Sequence, residues 1–153
     1  MSKFLTLGNG HILVGFDAYG QIKDFYFPHV GLENHIGRGL VHRVGVWVEG
    51  EFRWLEDSSW RVNVGCEHDS FVGAIRAENV MLGVLLEFAD VVYNEKNILV
   101  RKVSVTNMRS YDRVIKVFFG QEFQIYESSS AHTAYYDPHH HALIHYKGKR
   151  VFL

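Results

Sequence analysis

Apolar and polar residues alternate along much of the chain with a period of two, the pattern of strands that have one buried face. Between residues 41 and 48 the apolar face carries Val44, Val46 and Val48. A second alternating segment, 60–64, places Trp60 on the same side as two valines. Both segments are therefore predicted to be β-strands.

Further extended segments are predicted where β-branched and aromatic residues lie between turn signals. They are 11–16, 21–27, 51–55, 70–86, 97–106, 114–123, 142–146 and 149–153. Tight turns such as Asp17–Gly20 and Lys147–Gly148 join neighbouring segments into hairpins. In the segment 97–106 a charged residue, Arg101, interrupts the apolar face.

One segment has two competing patterns. Leu85, Phe88, Ala89 and Val92 have the i, i+3, i+4, i+7 spacing of a helix. The same segment also alternates weakly as a strand, is rich in valine and has no convincing helix cap. We predict a strand here as well.

The predicted fold class is all-β, an antiparallel two-sheet β-sandwich, because two packed sheets bury both sets of alternating faces. The composition agrees, with 14 Gly, only 2 Pro and 14% aromatic residues in 153 residues. Hydrophobic residues make up 47% and charged residues 22%, which argues against disorder and against a coiled coil. The length fits a single domain spanning residues 1–153.

Net charge and hydropathy exclude some classes of partner, and the cysteine content indicates a compartment. With 16 basic and 17 acidic residues the formal net charge is −1, which argues against a nucleic-acid binder. No apolar run is long enough to span a membrane and the start lacks a signal-peptide pattern, so no membrane partner is expected. The one cysteine, Cys66, fits a reducing compartment, and we expect the cytoplasm.

The segment 28–39 is the one long stretch that is not strand-like. It mixes glycine, histidine and amide side chains and is too long for a hairpin turn. Loops of this length in a compact domain are usually functional or packed against something.

Carboxylates are candidates for acid/base chemistry, which glycosidic hydrolysis needs in pairs. They are Asp17, Asp24, Glu33, Asp57, Glu67, Asp69, Glu122 and Asp137. Most lie in or beside turns, where solvated carboxylates are common, and the sequence pairs no two of them. We expect no complete catalytic pair in this chain.

Three consecutive histidines suggest a metal site as an alternative to a polar loop. On a strand, His139 and His141 would share a face, as zinc ligands do. A third ligand would come from His132, His145 or Asp137. We favour a loop after Pro138 with solvated imidazoles, and we expect no metal and no cofactor.

Aromatic side chains beside polar residues are candidates for stacking on sugar rings. They are Tyr19, Tyr26, Trp47, Trp54, Trp60, Tyr135 and Tyr136. Aromatic residues are also favoured in sheets, so the tryptophans are expected in the core or in cross-strand pairs. Tyr26 differs because it opens the irregular loop.

Two sets of motifs resemble bacterial and archaeal proteins of glycoside hydrolase family 15, which include glucoamylases, glucodextranases and trehalose-acting enzymes. The first set is Leu7-Gly8-Asn9-Gly10, Leu13-Val14-Gly15-Phe16-Asp17, Asp24-Phe25-Tyr26-Phe27-Pro28 and Val30-Gly31-Leu32-Glu33-Asn34-His35. The second is Tyr136-Asp137-Pro138 followed by Ala142-Leu143-Ile144-His145-Tyr146-Lys147-Gly148-Lys149-Arg150. The triple histidine departs from the family pattern.

The resemblance implies a non-catalytic amino-terminal β domain of the supersandwich, galactose-mutarotase-like type. In the family this domain packs against a carboxy-terminal (α/α)6 barrel, which carries the two catalytic glutamates that cleave α-glucosidic bonds. Val151-Phe152-Leu153 also ends the sequence on an apolar run. We therefore expect the amino-terminal part of a longer glycosidase, with that barrel as its partner.

The resemblance also selects candidate residues at the domain interface or near a sugar. They are Asp24, Tyr26, Pro28, His29, Glu33, Asn34 and His35. Two alternatives stay open, a stand-alone module binding an α-glucan or glucoside, and an aldose-epimerase-like enzyme using His29, His35 and Glu33. Loss of a partner surface would also give weak self-association.

Overall fold

The chain folds into antiparallel β-strands, as the alternating pattern predicted, in a computed structural model that describes residues 4–37, 39–128 and 130–153. The strands are β1 (Leu5–Gly8), β2 (Leu13–Phe16), β3 (Ile22–Tyr26), β4 (Arg43–Val48), β5 (Glu51–Trp54), β6 (Arg61–Cys66), β7 (Gly73–Asn79), β8 (Val84–Val92), β9 (Leu99–Asn107), β10 (Ile115–Gly120), β11 (Thr133–Asp137), β12 (Ala142–Lys147) and β13 (Arg150–Phe152). A single-turn 3-10 helix, Ile125–Glu127, precedes β11. No helix among the described residues combines the length and hydropathy needed to cross a bilayer.

Hydrogen bonding groups the described strands into four antiparallel sheets. Their strand orders are β1-β2-β3, β5-β4-β10, β6-β7-β8-β9 and β11-β12-β13. All four contribute to one hydrophobic core, so the architecture is a β-sandwich. The core is built from inward faces of the strands, as the period-two pattern requires.

The segment around β4 shows how the pattern places side chains. Val44, Val46 and Val48 are each at most 2% exposed, which confirms the predicted apolar face. On the other face, Gly45 is needed because a Cβ there would lie 2.5 Å from Phe52 Cζ. The helix-or-strand ambiguity is also resolved, since residues 84–92 form β8, a central strand.

The strands differ from the prediction in one segment that divides and in two strands that are additional. The segment predicted as one extended run, 70–86, is two strands, β7 and β8, joined by a turn at residues 80–83. Gly83 has φ +63° there, a conformation that glycine adopts without a steric penalty. The strands β1 and β11 are not among the predicted segments, because Leu5–Gly8 is only four residues long and the side chains of Thr133–Asp137 are mostly exposed.

The arginine that interrupts the apolar pattern of β9 belongs to a buried ion pair. Arg101 lies opposite Asp90 of β8. Its Nε donates to Asp90 Oδ1 (2.8 Å) and its Nη2 to Asp90 Oδ2 (3.0 Å). Nη2 also donates to the Gly20 carbonyl (2.8 Å), which ties β9 to the turn after β2. Arg101 is therefore an inward-facing residue whose charge is matched by a fully buried carboxylate.

Candidate functional site

The irregular segment after β3 folds back along that strand. The Phe27 amide donates to the Glu33 carbonyl (3.2 Å), and the His35 amide donates to the Phe25 carbonyl (2.8 Å). Of the predicted loop, Arg38 lies outside the described residues. At the tip of the loop, Leu32 is 76% exposed. Residues 28–37 thus form a self-packed loop that presents an apolar side chain to solvent.

Asn34 fixes the return of this loop onto β3. Its Oδ1 accepts hydrogen bonds from the backbone amides of Phe25 (3.0 Å) and Ile36 (3.1 Å). Its Nδ2 donates to Asp24 Oδ1 at 2.7 Å. One amide side chain therefore satisfies two partly buried backbone donors and one carboxylate.

Replacing Asn34 with alanine is expected to lower the free energy of unfolding by about 2 kcal/mol, because two partly buried amides lose their acceptor. Urea denaturation measures this change. Asn34→Asp keeps an acceptor oxygen but sets a second carboxylate beside Asp24, so its loss should be intermediate. Asn94→Ala, at an exposed position, is the control and should change stability little. Equal effects of Asn34→Ala and Asn94→Ala would contradict the role given to Asn34.

His35 lies at the base of the loop with no exposed surface. The Tyr126 amide donates to its Nδ1 (3.3 Å), so Nδ1 is an acceptor and Nε2 carries the proton donated to the Phe27 carbonyl (2.6 Å). Burial lowers the pKa of His35, which keeps the ring neutral. Its Nε2 is 3.9 Å from Glu33 Oε2, a contact that is not an ion pair while the ring is neutral.

Glu33 closes the loop by an ion pair with the last hairpin. Arg150 Nη2 lies 2.9 Å from Glu33 Oε2 and 3.1 Å from Oε1, and Arg150 Nε lies 3.2 Å from Oε2. The guanidinium also lies over the Tyr126 ring, 5.3 Å from its centroid. This paired geometry holds both carboxylate oxygens and restrains the arginine side chain on an aromatic face.

The structure brings most of the predicted site residues together. Asp24, Asn34, Glu33 and His35 belong to the network around the loop, and Tyr26 pairs with Asn34 across a single β-bridge. His29 is 63% exposed, with Nε2 3.9 Å from Glu33 Oε1, and Pro28 is half-buried. The prediction missed Arg150 and Tyr126 as members of this cluster. The sequence signal for Arg150 was its place in the second motif.

Other carboxylates hold turns. Asp17 is 5% exposed, and its Oδ1 accepts from the amides of Tyr19 (2.8 Å) and Gln21 (3.0 Å). Burial raises the pKa of the Asp17 carboxyl. Asp57 Oδ1 accepts from the Ser59 amide at 2.9 Å. Three further carboxylates are exposed in turns or irregular segments: Glu67, Asp69 and Glu122.

The three consecutive histidines lie in the turn between β11 and β12, so the strand arrangement that would align His139 with His141 is wrong. Asp137 organises the turn, since its Oδ1 accepts from the His139 amide (2.9 Å) and its Oδ2 contacts His140 Nδ1 (2.6 Å). His141 Nδ1 contacts the Tyr136 hydroxyl instead (3.0 Å). In the described part of the chain no three His, Cys, Asp or Glu side chains gather as a metal site.

The tryptophans occupy the core and strand faces, as predicted. Trp60 is 8% exposed. Trp47 lies opposite Lys116 across β4 and β10, with the ammonium 4.8 Å from the ring centroid. Trp54 packs edge-to-face on Phe52 at 4.8 Å between centroids. The tryptophan rings are therefore in contact with other side chains of the fold.

The tyrosines are more accessible. Tyr135 is 49% exposed and Tyr136 is 58% exposed, both on the edge strand β11, and Tyr19 is 36% exposed in a turn. Tyr26 is half-buried on β3. Two neighbouring exposed tyrosines alternate across a strand, so they project to opposite faces and do not form one stacking platform.

A groove of about 560 Å³ lies between the margins of three sheets. Its floor includes Ile22, Phe25 and Phe123, and its margins include Leu99 of β9 and Phe119 of β10. The last strand, β13, also lines it. The lining of the groove is mainly apolar.

Comparison with known proteins gives one informative similarity. The chain is 23% identical over 147 residues to an uncharacterised glycosyl hydrolase of Methanocaldococcus jannaschii. The aligned region covers 95% of this chain and 23% of that protein. No protein-family profile matches the chain, and no solved structure matches it. The similarity relates the chain to glycosidases. The chain spans less than a quarter of the relative's length.

Proposed function

We propose that this chain is the non-catalytic amino-terminal accessory domain of a family 15 glycoside hydrolase, supporting the folding and docking of a catalytic (α/α)6 barrel. The observation that carries the proposal is the similarity to a glycosyl hydrolase, which spans 95% of this chain but 23% of the relative. An accessory domain would account for that difference, because the remaining length of such a protein can hold a catalytic domain. The single cysteine is consistent with the cytoplasm as its compartment.

The site geometry supports a structural rather than a catalytic use of the loop. A general acid or base needs a nitrogen or oxygen atom that is free to exchange a proton with the substrate. His35 has both ring nitrogens hydrogen-bonded and no exposed surface, and Glu33 is held by Arg150. These contacts weigh against an aldose-epimerase-like mechanism built on His35 and Glu33.

The isolated chain is expected to release no glucose from maltose, maltodextrin, isomaltose or trehalose. The reason is that Asp17, Glu33 and Asp57 are held in turn and loop contacts, and the sequence pairs no two carboxylates for acid/base work. A coupled glucose assay at several enzyme concentrations measures this. Turnover that disappears in Glu33→Gln but persists in Glu67→Gln, an exposed control, would overturn the accessory-domain proposal.

The exposed tip of the loop offers a test of docking. In the longer glycosidase, Leu32→Lys should lower stability by about 1–3 kcal/mol, the range for an apolar side chain lost from a buried contact. In the isolated chain the same change should have little effect, because Leu32 is 76% exposed. Thermal unfolding of both forms gives the comparison.

Met81→Lys is the matched control for this docking test. Met81 is 78% exposed and lies in the β7–β8 turn, outside the loop. Its replacement should be tolerated in both the isolated chain and the longer protein. If Leu32→Lys were as harmless as Met81→Lys in the longer protein, the loop would not face the catalytic domain.

A further inference from the structure

The apolar groove is framed by strands that each have an unpaired edge. Among the described strands, β9 pairs only with β8, β10 pairs only with β4, and β13 pairs only with β12. Backbone donors and acceptors on such edges are a template for another extended segment. The groove therefore combines an apolar floor with strand margins from three sheets.

Apolar side chains at these margins are only partly covered. In β10, Phe119 lies opposite Val44, yet Phe119 is 52% exposed while Val44 is 1% exposed. Ile98, just before β9, is 46% exposed, and Val151 of β13 is 49% exposed. Three residues that line one groove thus expose apolar surface together, which indicates an interaction surface.

The charged groups and the imidazole of the groove either have partners within the fold or are buried. Arg101 bonds to Asp90 and to the Gly20 carbonyl, and Arg43 Nη1 lies 3.5 Å from Glu56 Oε1. His42 Nε2 and Arg43 Nε have no hydrogen-bond partner among the described residues, but both atoms are buried and are not presented to a ligand in the groove. A free sugar needs several available hydrogen-bonding groups in addition to an apolar face. An apolar polypeptide segment fits this lining better than a glucoside does.

We propose that the groove is the docking site for a β-strand from another part of the longer glycosidase polypeptide. The strand would pair with an open edge of β9 or β10 and place alternate apolar side chains on the floor around Phe123. Because the aligned region is 23% of the M. jannaschii relative, a related full-length protein has ample chain to supply this strand. This inference rests on the proposed function, since it requires that longer polypeptide.

Hydrogen exchange in the two forms of the protein tests the proposal. In the isolated chain, backbone amides of residues 97–103 and 117–121 should exchange readily wherever their strand edge is open. In the longer glycosidase their protection should rise by about tenfold or more, as expected for newly paired and covered strands. Unchanged exchange in both segments would overturn the proposal.

A matched pair of variants gives an independent measurement. Ile98 is 46% exposed and lines the groove, whereas Met108 is 43% exposed and lies outside it. Ile98→Lys and Met108→Lys should have similarly small effects on the melting temperature of the isolated chain. In the longer protein, Ile98→Lys should lower the melting temperature clearly more than Met108→Lys does.

The outcomes separate this inference from the proposed function. Equal effects of the two variants in the longer protein would overturn the groove proposal, even if that protein hydrolyses α-glucosides and the isolated chain does not. The amides of the groove could instead become protected from hydrogen exchange when the isolated chain dimerises, and lose that protection in Ile98→Lys. This result would assign the groove to a second copy of the chain. Groove protection in a longer protein without glycosidase activity would support the docking site while refuting the proposed function.

Discussion

Replacement of Arg101 with alanine is expected to lower the free energy of unfolding by about 3–5 kcal/mol, the usual cost of removing one partner of a buried ion pair. Asp90 has no exposed surface, and both hydrogen bonds that it accepts from Arg101 would have no replacement donor. The variant would also lose the hydrogen bond to the Gly20 carbonyl and the packing of the guanidinium 4.8 Å from the Phe88 ring centroid. Urea denaturation at neutral pH measures the change.

Two comparisons show whether the buried charge causes this loss. Arg76→Ala removes an arginine that pairs with Glu87 on the exposed face of the same sheet, so its cost should stay below about 1 kcal/mol. The double variant Asp90→Leu with Arg101→Met should be more stable than Arg101→Ala, because no unpaired charge is left inside. A double variant no better than Arg101→Ala would show that the packing of the arginine, and not its pairing, dominates.

The sequence pattern predicted the strands where local signals were strong. The segment around β4 has three inward valines and the Glu49–Gly50 turn, and all three valines are buried in the structure. The turn between β7 and β8 was missed because residues 80–82 are apolar and continue the strand-like pattern. The turn signals are only Gly83, which has a positive φ, and Asn79, whose Oδ1 accepts from the Leu82 amide (2.9 Å), and isolated residues of this kind are weak signals.

Long-range pairing is the part of the site that the sequence did not predict. The loop was identified from its length and composition, and Asp24 and Asn34 are ten positions apart and directly bonded. Arg150, in contrast, is 117 positions from Glu33, and nothing in either local pattern links the two. Such pairs depend on how the sheets pack, because side-chain partners from different sheets meet only in the assembled core.

The sequence did not predict the burial of the Arg101 charge or of the His42 imidazole, and the reason is the same for both. Arg101 looked like an interruption in the apolar face of β9, since its partner lies on the neighbouring strand and not in its own segment. His42 stands just before β4 and carries no sequence signal of burial, yet its ring packs 4.6 Å from the Phe123 ring centroid. Both become visible only when the register of the strands is known.

Acidification is expected to destabilise the fold through His42. Burial, reinforced by the nearby His145 imidazole, lowers the pKa of His42 to about 3 from its ordinary value of 6.5. Between these two values the unfolded chain binds a proton that the folded chain does not, so stability is retained above pH 6.5 and lost as the pH falls toward 3. At about 1.4 kcal/mol per pH unit, the loss from this residue approaches about 3 kcal/mol near pH 4.5.

The variant His42→Gln tests this assignment through the slope of stability against pH rather than its absolute value, because glutamine also changes the packing on Phe123. Between pH 6 and pH 4 its unfolding free energy should fall less steeply than that of the parent chain, by about 1.4 kcal/mol per pH unit. A residual slope should persist, since burial also lowers the pKa of His35 and of His145. His68→Gln, which removes a side chain that is 94% exposed, should keep the parent slope. A His42→Gln slope equal to that of the parent would show that His42 does not set the acid sensitivity of the fold.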